Sequence, residues 1–323
     1  MSGDNFLSGV TVLRLLCGAI WVTVILATGG NEWGYEGANR PEKWYEEFPR
    51  CGGKKQSPIN IVTDEVILNK RLGEIKFTGY DQMLTKPVLK NNGHSAQVNL
   101  DHDIFIEYGG LPYQYKAAQF HFHWGEADRR GSEHSVDSDG FPMEMHIVHY
   151  ATEYANFSDA VNKPDGLAVL AIFMQVGEEE HPGFQHIVSH LDSPIHKGEE
   201  IPMEPMTLKS LLPSDTKTFY RYSGSLTTPP CYESVVWTLY PDYVTVSKDQ
   251  VDLFRKYLRA NAANATNEVR LVNDYRPQQP INVRLVETNT IMGLAGSGSD
   301  ARATTLYLVL VSSLSCFYFH FLL

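Results

Sequence analysis

A pair of histidines, His121 and His123, is spaced one residue apart in a run where polar and apolar residues alternate. Successive side chains of a β-strand point to opposite faces, so a strand here would place both imidazoles on one face. A second alternating run puts His146 on the same face as Glu144. If the two strands pair, His146 lies opposite the first two histidines, which predicts a site for one metal ion.

Three histidines without a fourth protein ligand are typical of catalytic zinc, which keeps one tetrahedral position open for water. Structural zinc usually has four protein ligands, many of them cysteine. The spacing alone leaves a second interpretation open, because a histidine pair on a strand is often only a polar face. Other motifs are therefore needed to distinguish a metal centre from a solvated strand.

The chain has 323 residues, of which 43% are hydrophobic, and it can bury a substantial core. Length alone allows one large β domain or two domains of ordinary size. The formal net charge of −11 argues against a nucleic-acid partner. Such a chain would repel phosphate groups, and the sequence contains no basic stripe to bind them.

Residues 1–29 are predicted to be a cleaved signal peptide. Their apolar run, Ala19–Ala27, is too short to span a bilayer comfortably and is followed by small residues. The charged region before this run is weak, because Asp4 opposes Arg14. An uncleaved membrane anchor is therefore the alternative.

The chain ends in a hydrophobic tail, residues 304–323, after a spacer of small and polar residues, 289–303. The tail lacks the basic flank that usually follows a transmembrane helix on its cytoplasmic side. Small residues, a polar spacer and a terminal hydrophobic stretch are typical of the signal for a glycosylphosphatidylinositol (GPI) anchor, in which the tail is removed. We therefore expect a GPI-anchored protein on the extracellular face of the cell membrane, with a retained tail anchor as the alternative.

Two of the four cysteines, Cys51 and Cys231, belong to the predicted mature protein. The other two lie in the predicted signal peptide and the predicted tail. In the oxidising secretory pathway the remaining pair has one possible disulfide bond. Glycosylation sequons begin at Asn156 and Asn264 and fit the same compartment.

Between its two ends the chain is predicted to be mainly β, with a few short helices. Apolar strand patterns such as 166–174 alternate with frequent turn signals. The strongest helix pattern runs from Ser247 to Ala260, where Ser247 and Gln250 form a capping box. Because no repeat or linker interrupts this part of the chain, we expect a single domain over residues 30–288.

Six further segments accompany the two histidine strands, in this order: Trp33–Tyr35, Gln56–Ile61, Asn92–His94, Gly131–Asp137, Ser225–Pro230 and Tyr275–Pro280. Together these motifs resemble the α-class carbonic anhydrases, and more narrowly the extracellular, lipid-anchored members of the carbonic anhydrase IV and XV type. The resemblance implies a large, twisted, mostly antiparallel sheet with the metal in a conical cleft on one face.

The resemblance also implies one Zn²⁺ per chain, bound by His121, His123 and His146. The implied reaction is the reversible hydration of carbon dioxide to bicarbonate and a proton by zinc-bound hydroxide. Zinc lowers the pKa of its bound water to about 7, a value established for carbonic anhydrase itself. Sulfonamide-type inhibitors are expected on the same grounds.

Several residues around the metal have expected roles. Gln119 and Glu144 each lie two residues from a histidine on the same face, where they could hydrogen-bond its imidazole and set its tautomer. The resemblance implies that Thr227 donates to Glu133 and so accepts from the hydroxide, while Thr228 positions bicarbonate.

His94 resembles the proton shuttle of the family, because an imidazole with an ordinary pKa of about 6.5 can accept and release a proton at neutral pH. Tyr35 and Asn92 would order the intervening waters. The resemblance also implies an apolar wall for carbon dioxide, whose members could equally be ordinary core residues: Val148, Val169, Leu226 and Trp237.

Ser223, Asp274 and Gln97 depart from the family pattern. These differences bear on the speed of proton transfer and on inhibitor preference. A role of Asp274 that needs only its backbone carbonyl would be unaffected by the change of side chain.

Two other functions are compatible with some of these features. A metal-free binding module would lack a zinc ligand, and a zinc hydrolase would need a carboxylate base and a longer groove.

Overall fold

The computed structural model describes residues 10–12, 25–27 and 33–290. Most of the predicted signal peptide and the whole predicted hydrophobic tail lie outside the described residues, so both stay predictions. Within the described ranges, no helix is long and apolar enough to cross a membrane.

Strands dominate the structure, as the alternating and apolar runs predict. A short antiparallel pair joins β1 (Val10–Val12) and β2 (Ile25–Ala27). The remaining strands, in chain order, are β3 (Asn60–Ile61), β4 (Ile67–Leu68), β5 (Ile75–Thr78), β6 (Met83–Leu84), β7 (Val88–Asn91), β8 (Ala96–Asn99), β9 (Phe105–Tyr108), β10 (Tyr115–Trp124), β11 (Ser135–Val136), β12 (Met143–Ala151), β13 (Leu167–Gly177), β14 (Glu200–Pro202), β15 (Met206–Thr207), β16 (Tyr220–Gly224), β17 (Val235–Ser247) and β18 (Glu287–Thr288).

Twelve strands, counted over the described residues, form one large sheet. Its main order is β14-β7-β8-β10-β12-β13-β17-β16-β18-β4, while β9 also pairs with β10 and carries β5 beyond it. Neighbours are antiparallel except for β13 with β17 and β18 with β4. The expectation of a mainly β fold around a large, mostly antiparallel twisted sheet is confirmed.

The helices are short, and the longest begins as the capping box predicts. The Ser247 side chain accepts from the Gln250 N–H, and the Gln250 side chain accepts from the Ser247 N–H. The helix ends at Tyr257, three residues before the predicted end, because the following chain turns extended and Ala260 N–H donates to Val269 O at 2.8 Å. The α-helices are α1 (Trp44–Glu47), α2 (Phe157–Ala160), α3 (Pro182–Val188) and α4 (Lys248–Tyr257), and 3-10 turns cover Gly37–Asn39, Pro41–Lys43, Pro49–Gly52, Thr63–Glu65 and Leu208–Leu211.

The large sheet has an apolar cluster on each face. Phe120 and Phe122 of β10 belong to the larger cluster, whereas Trp237 of β17 belongs to the smaller one. Because side chains alternate along a strand, His121 and His123 point away from the larger cluster and share the face of Trp237. We call this the metal face of the sheet.

Candidate metal centre

Strands β10 and β12 bring the three predicted ligands together. In their antiparallel register His121 lies opposite His146, and His123 lies opposite Glu144. One ring nitrogen from each of the three histidines lies within 4.8 Å of the others. The two strands therefore form a possible metal site near the middle of the sheet.

Hydrogen bonds set the ring orientation of the two histidines on β10. His121 Nδ1 donates to Gln119 Oε1 at 2.9 Å, and His123 Nδ1 donates to the backbone oxygen of Asp274 at 2.6 Å. With Nδ1 protonated in both rings, the free lone pairs lie on Nε2. The role of Asp274 at this point requires only its carbonyl group.

Glu144 sets the orientation of the third ring. Its Oε1 accepts from His146 Nε2 at 2.6 Å and from His134 Nδ1 at 2.7 Å, and its Oε2 accepts from the His134 N–H at 2.8 Å. Burial opposes ionisation of this carboxyl, but the two imidazoles outweigh burial and hold the pKa of Glu144 well below its ordinary value. The nitrogen of His146 that stays free is Nδ1.

A second cluster, His134, Glu144 and His146, also lies within the spacing of a metal site. Its facing atoms are already hydrogen-bonded to one another at 2.6 and 2.7 Å. We therefore infer that this cluster holds His146 in position for the first site.

The electrostatic environment keeps two of the candidate ligands neutral. Burial lowers the pKa of His121 well below its ordinary value, and the neighbouring rings of His123 and His146 lower it further. Burial also lowers the pKa of His123, although the charge of Glu133 acts in the opposite direction. Neutral imidazole is the form that binds a metal ion.

Two buried polar atoms at this point have no hydrogen-bond partner in the described part of the chain: His123 Nε2 and Glu133 Oε2. They lie 3.4 Å apart, and the same carboxylate oxygen is 3.9 Å from His146 Nδ1. A buried polar group without a partner costs about 1–3 kcal/mol, so the position favours a further ligand. Three imidazole nitrogens are a donor set that suits Zn²⁺.

Glu133 is held from its other oxygen, since Oε1 accepts from the Arg276 N–H at 2.9 Å. Thr227 is only 5% exposed. The hydrogen bond that the resemblance implies from Thr227 to Glu133 is not formed here, because Oε2 is without a partner among the described residues. The relay between these two side chains stays a prediction.

Cys51 and Cys231 form a disulfide bond, as the sequence predicts. The Cys231 N–H donates to Thr228 O at 2.9 Å, and Arg276 Nη2 donates to Cys51 O at 2.8 Å. The disulfide therefore ties the loop that contains Thr228 to the N-terminal part of the domain.

The apolar residues expected beside the metal lie together on the metal face. Val148, Val169 and Trp237 are buried in the smaller cluster, and Leu226 packs against it partly buried. The ring centroids of Trp237 and His146 are 4.9 Å apart. An apolar surface therefore adjoins the third candidate ligand.

The environment of His94 differs from that of the three candidate ligands. Its ring stacks on Trp33, with ring centroids 3.7 Å apart and an interplanar angle of 11°. Both rings line a cavity of about 430 Å³ that none of the three ligands lines. Burial, followed by the charge of Lys197, lowers the pKa of His94 to about 4. In this position the ring is a weak proton acceptor at neutral pH, and the shuttle role of His94 stays a prediction.

The two residues expected to order water near His94 differ in their environment. Asn92 builds the turn, because its Oδ1 accepts from the His94 N–H at 2.8 Å and its Nδ2 donates to Gln97 Oε1 at 3.1 Å. The Tyr35 hydroxyl is buried and has no partner within the described ranges. Burial, reinforced by the charge of Glu133, raises the pKa of Tyr35 well above its ordinary value.

Both predicted sequons are exposed at the surface, at Asn156 and Asn264. The Asn156 side chain also caps α2, where Oδ1 accepts from the Asp159 N–H at 3.0 Å. The exposure of both asparagines is compatible with glycosylation, which stays a prediction.

Sequence reasoning missed the roles of His134, Arg276 and Tyr222. His134 Nε2 lies 2.7 Å from the Tyr222 hydroxyl, and Arg276 Nη1 donates to Ser57 O at 2.9 Å. His134 and Arg276 lie inside two of the matching segments, so their place in those motifs is the signal that could reveal them.

The sequence of this chain is similar to those of known proteins. A family model described as eukaryotic-type carbonic anhydrase matches residues 39–290. Carbonic anhydrase 12 of Homo sapiens is 38% identical over 263 residues, which are 80% of this chain and 73% of that protein. Carbonic anhydrase 6 of Bos taurus is 36% identical over 276 residues, covering 84% of this chain and 85% of that protein. Carbonic anhydrase 7 of Homo sapiens is 35% identical over 266 residues, covering 81% of this chain and 98% of that protein.

The chain therefore belongs to the eukaryotic-type carbonic anhydrases. It is an enzyme of that family, a carbonate dehydratase, and the activity of the family is the reversible hydration of carbon dioxide. The resemblance to the α class is confirmed, whereas the lipid-anchored subtype stays a prediction.

Proposed function

We propose that this chain hydrates carbon dioxide by means of one Zn²⁺ ion bound to His121, His123 and His146. One observation carries the proposal: each of the three rings is hydrogen-bonded through one nitrogen and directs the other toward a common point. Three protein donors leave the fourth tetrahedral position of zinc open to solvent.

When bound, Zn²⁺ supplies Lewis-acid chemistry that makes water a nucleophile at neutral pH. The residues of this chain hold that centre in place. Gln119, Glu144 and the Asp274 carbonyl keep the three imidazoles in their metal-binding tautomers. Such partners also raise the basicity of the ligand ring.

Thr227 and Glu133 orient the nucleophile. The carboxylate is held by the Arg276 N–H and keeps Oε2 without a partner in the described structure, so that oxygen is available to accept from the Thr227 hydroxyl. A hydroxyl that donates to Glu133 can only accept from the nucleophile, which orients the attacking lone pair. Thr228, next in the chain, then positions bicarbonate.

Carbon dioxide is apolar and binds to the apolar surface beside His146. The wall excludes competing water and brings the substrate carbon close to the nucleophile. Its members are the buried and partly buried side chains Val148, Val169, Leu226 and Trp237.

His94 carries the proton away when its ring leaves Trp33. Burial is the main cause of its pKa of about 4, so movement of the ring into solvent returns the pKa toward the ordinary value of 6.5. Tyr35 and Asn92 border this region and order the water between the ring and the metal.

The enzyme acts at the extracellular surface on a GPI anchor. The disulfide bond and the two exposed sequons support passage through the secretory pathway. The sequence of the C-terminal tail supports the anchor. Treatment of expressing cells with a phosphatidylinositol-specific phospholipase should release the protein into the medium, and persistence on the membrane would favour a retained hydrophobic anchor.

The zinc proposal is tested by metal analysis combined with stopped-flow carbon dioxide hydration. We expect one zinc per chain, rapid hydration and inhibition by sulfonamides. His123→Ala should abolish hydration, while His186→Ala, at an exposed histidine, should leave it intact. A folded protein without zinc would indicate a binding module, and zinc with ester cleavage but no hydration would indicate a hydrolase.

A further inference from the structure

A buried arginine on the other face of the large sheet forms no salt bridge with a carboxylate among the described residues. Arg221 of β16 is 5% exposed and lies directly across from Thr238 of β17. Because Thr238 follows Trp237, which lies on the metal face, Thr238 and Arg221 lie on the opposite face of the sheet. Arg221 Nε and Nη2 both donate to Thr238 Oγ1, at 3.2 and 3.0 Å. Nη1 is buried without a hydrogen-bond partner in the described part of the chain.

Tyr240 adds a second hydroxyl donor without a partner on this face. It follows Thr238 by two residues on β17, is fully buried, and its hydroxyl has no hydrogen-bond partner within the described ranges. Burial lowers the pKa of Arg221 to about 10, which leaves the guanidinium charged at neutral pH. Burial also raises the pKa of Tyr240, and the nearby charge of Arg221 only partly offsets this effect. The phenol therefore stays protonated and can donate.

The two carboxylates whose charges reach this pair offset the buried charge only in part. Glu287 lies opposite Arg221 on β18 and raises its pKa, but burial outweighs this effect, and Glu287 Oε1 accepts from Asn69 Nδ2 at 2.9 Å. Asp215 acts on Tyr240, but its Oδ1 accepts from the Lys217 N–H at 2.8 Å. An isolated buried cation is strongly unfavourable unless a counter-charge is close.

A loop glycine lies close to the unpartnered nitrogen. Gly110 has a φ of +75°, and a Cβ built on it would lie 3.6 Å from Arg221 Nη1 and 2.2 Å from Leu72 Cδ2. A side chain at this position would collide with Leu72, so only the glycine backbone can approach the guanidinium this closely. Gly110 is itself exposed, so this loop separates Nη1 from solvent.

We propose that Arg221 Nη1 and the Tyr240 hydroxyl bind a small monovalent anion, chloride in the first instance, on the face of the sheet opposite the metal. Both groups donate hydrogen bonds, and the anion accepts from both while it neutralises the guanidinium. A water molecule could accept the same two bonds but would leave the charge uncompensated. The site is structural and takes no part in the hydration reaction.

Crystals of the zinc-loaded protein grown in sodium bromide locate the anion by anomalous scattering. The proposal expects a bromide peak within hydrogen-bonding distance of Arg221 Nη1 and the Tyr240 hydroxyl. A bromide found only at the metal or on the protein surface, or a non-anomalous water peak between the two groups, would overturn it.

Thermal unfolding measures whether the anion contributes to stability. Chloride should replace gluconate at constant ionic strength. Above the dissociation constant, each tenfold increase in the chloride concentration should raise Tm by about 3 to 5 °C. Tyr240→Phe keeps the ring and should weaken this dependence, and Arg221→Met should abolish it. Tyr243→Phe, at an exposed tyrosine of the same strand, should behave like the wild type. Equal Tm values in chloride and gluconate for the wild type would refute the site, even if Arg221→Met fails to fold.

Discussion

Substitution of Glu144 by glutamine tests whether the support of the metal ligands determines zinc affinity. The carboxylate is completely buried and accepts three hydrogen bonds, two from His134 and one from His146. Glutamine has nearly the same shape but only one acceptor oxygen. If that oxygen faces the two rings, its NH₂ group meets the His134 N–H; if the amide is reversed, the NH₂ group meets both rings.

Either orientation of glutamine leaves a buried donor facing another donor, which costs about 1–3 kcal/mol. In the reversed orientation His146 Nε2 can accept from the glutamine NH₂ group only if the ring proton moves to Nδ1. Nδ1 is the nitrogen that should bind zinc. Removing a partner of this kind typically lowers metal affinity by about 10–100-fold, or about 1.4–2.7 kcal/mol. We therefore expect Glu144→Gln to weaken zinc binding by that factor while the fold is retained.

Competition with a chelator of known affinity gives the zinc dissociation constant of each variant. Glu200→Gln is the matched control, because this carboxylate is exposed on the edge strand β14. Circular dichroism establishes that each variant is folded. An unchanged zinc affinity for folded Glu144→Gln would refute the inference that this hydrogen-bond network orients His146 for the metal.

Three further predictions concern the proton path and the disulfide bond. His94→Ala should slow turnover in weak buffer, and added imidazole should restore it, because an external carrier can replace the internal one; lack of rescue would indicate another exit for the proton. In the wild type, the His94 ring should titrate by NMR near pH 4, and Trp33→Ala should move this midpoint up toward 6.5. Because the pKa of His94 is depressed in the folded state, its contribution to stability is present above pH 6.5 and is lost as the pH falls toward about 4. Urea unfolding at a series of pH values should show this loss. A wild-type NMR midpoint near 6.5 would contradict the buried stack. Cys231→Ser should lower the unfolding free energy by about 2–5 kcal/mol in denaturant titration, and equal stability of the variant and the wild type would show that the bond contributes little.

Local sequence patterns predict much of the fold. The alternation around His121 and His146 predicts two strands with the histidines on one face, and the structure has β10 and β12 there. The pairing of Ser247 with Gln250 predicts the start of α4 correctly. These features depend on the repeat of the backbone and on contacts between near neighbours, so they can be derived from the residues alone.

The surroundings of the site depend on groups that are distant in sequence. The carbonyl that orients His123 belongs to Asp274, 151 residues further along the chain. The Arg276 N–H that holds Glu133 is 143 residues away, and the stack of Trp33 on His94 is not apparent from either motif. Sequence by itself therefore determined the residue types and the faces on which they lie. Only the tertiary structure decided which buried donors find acceptors, because those partners depend on how the strands pair and how distant loops pack against the sheet.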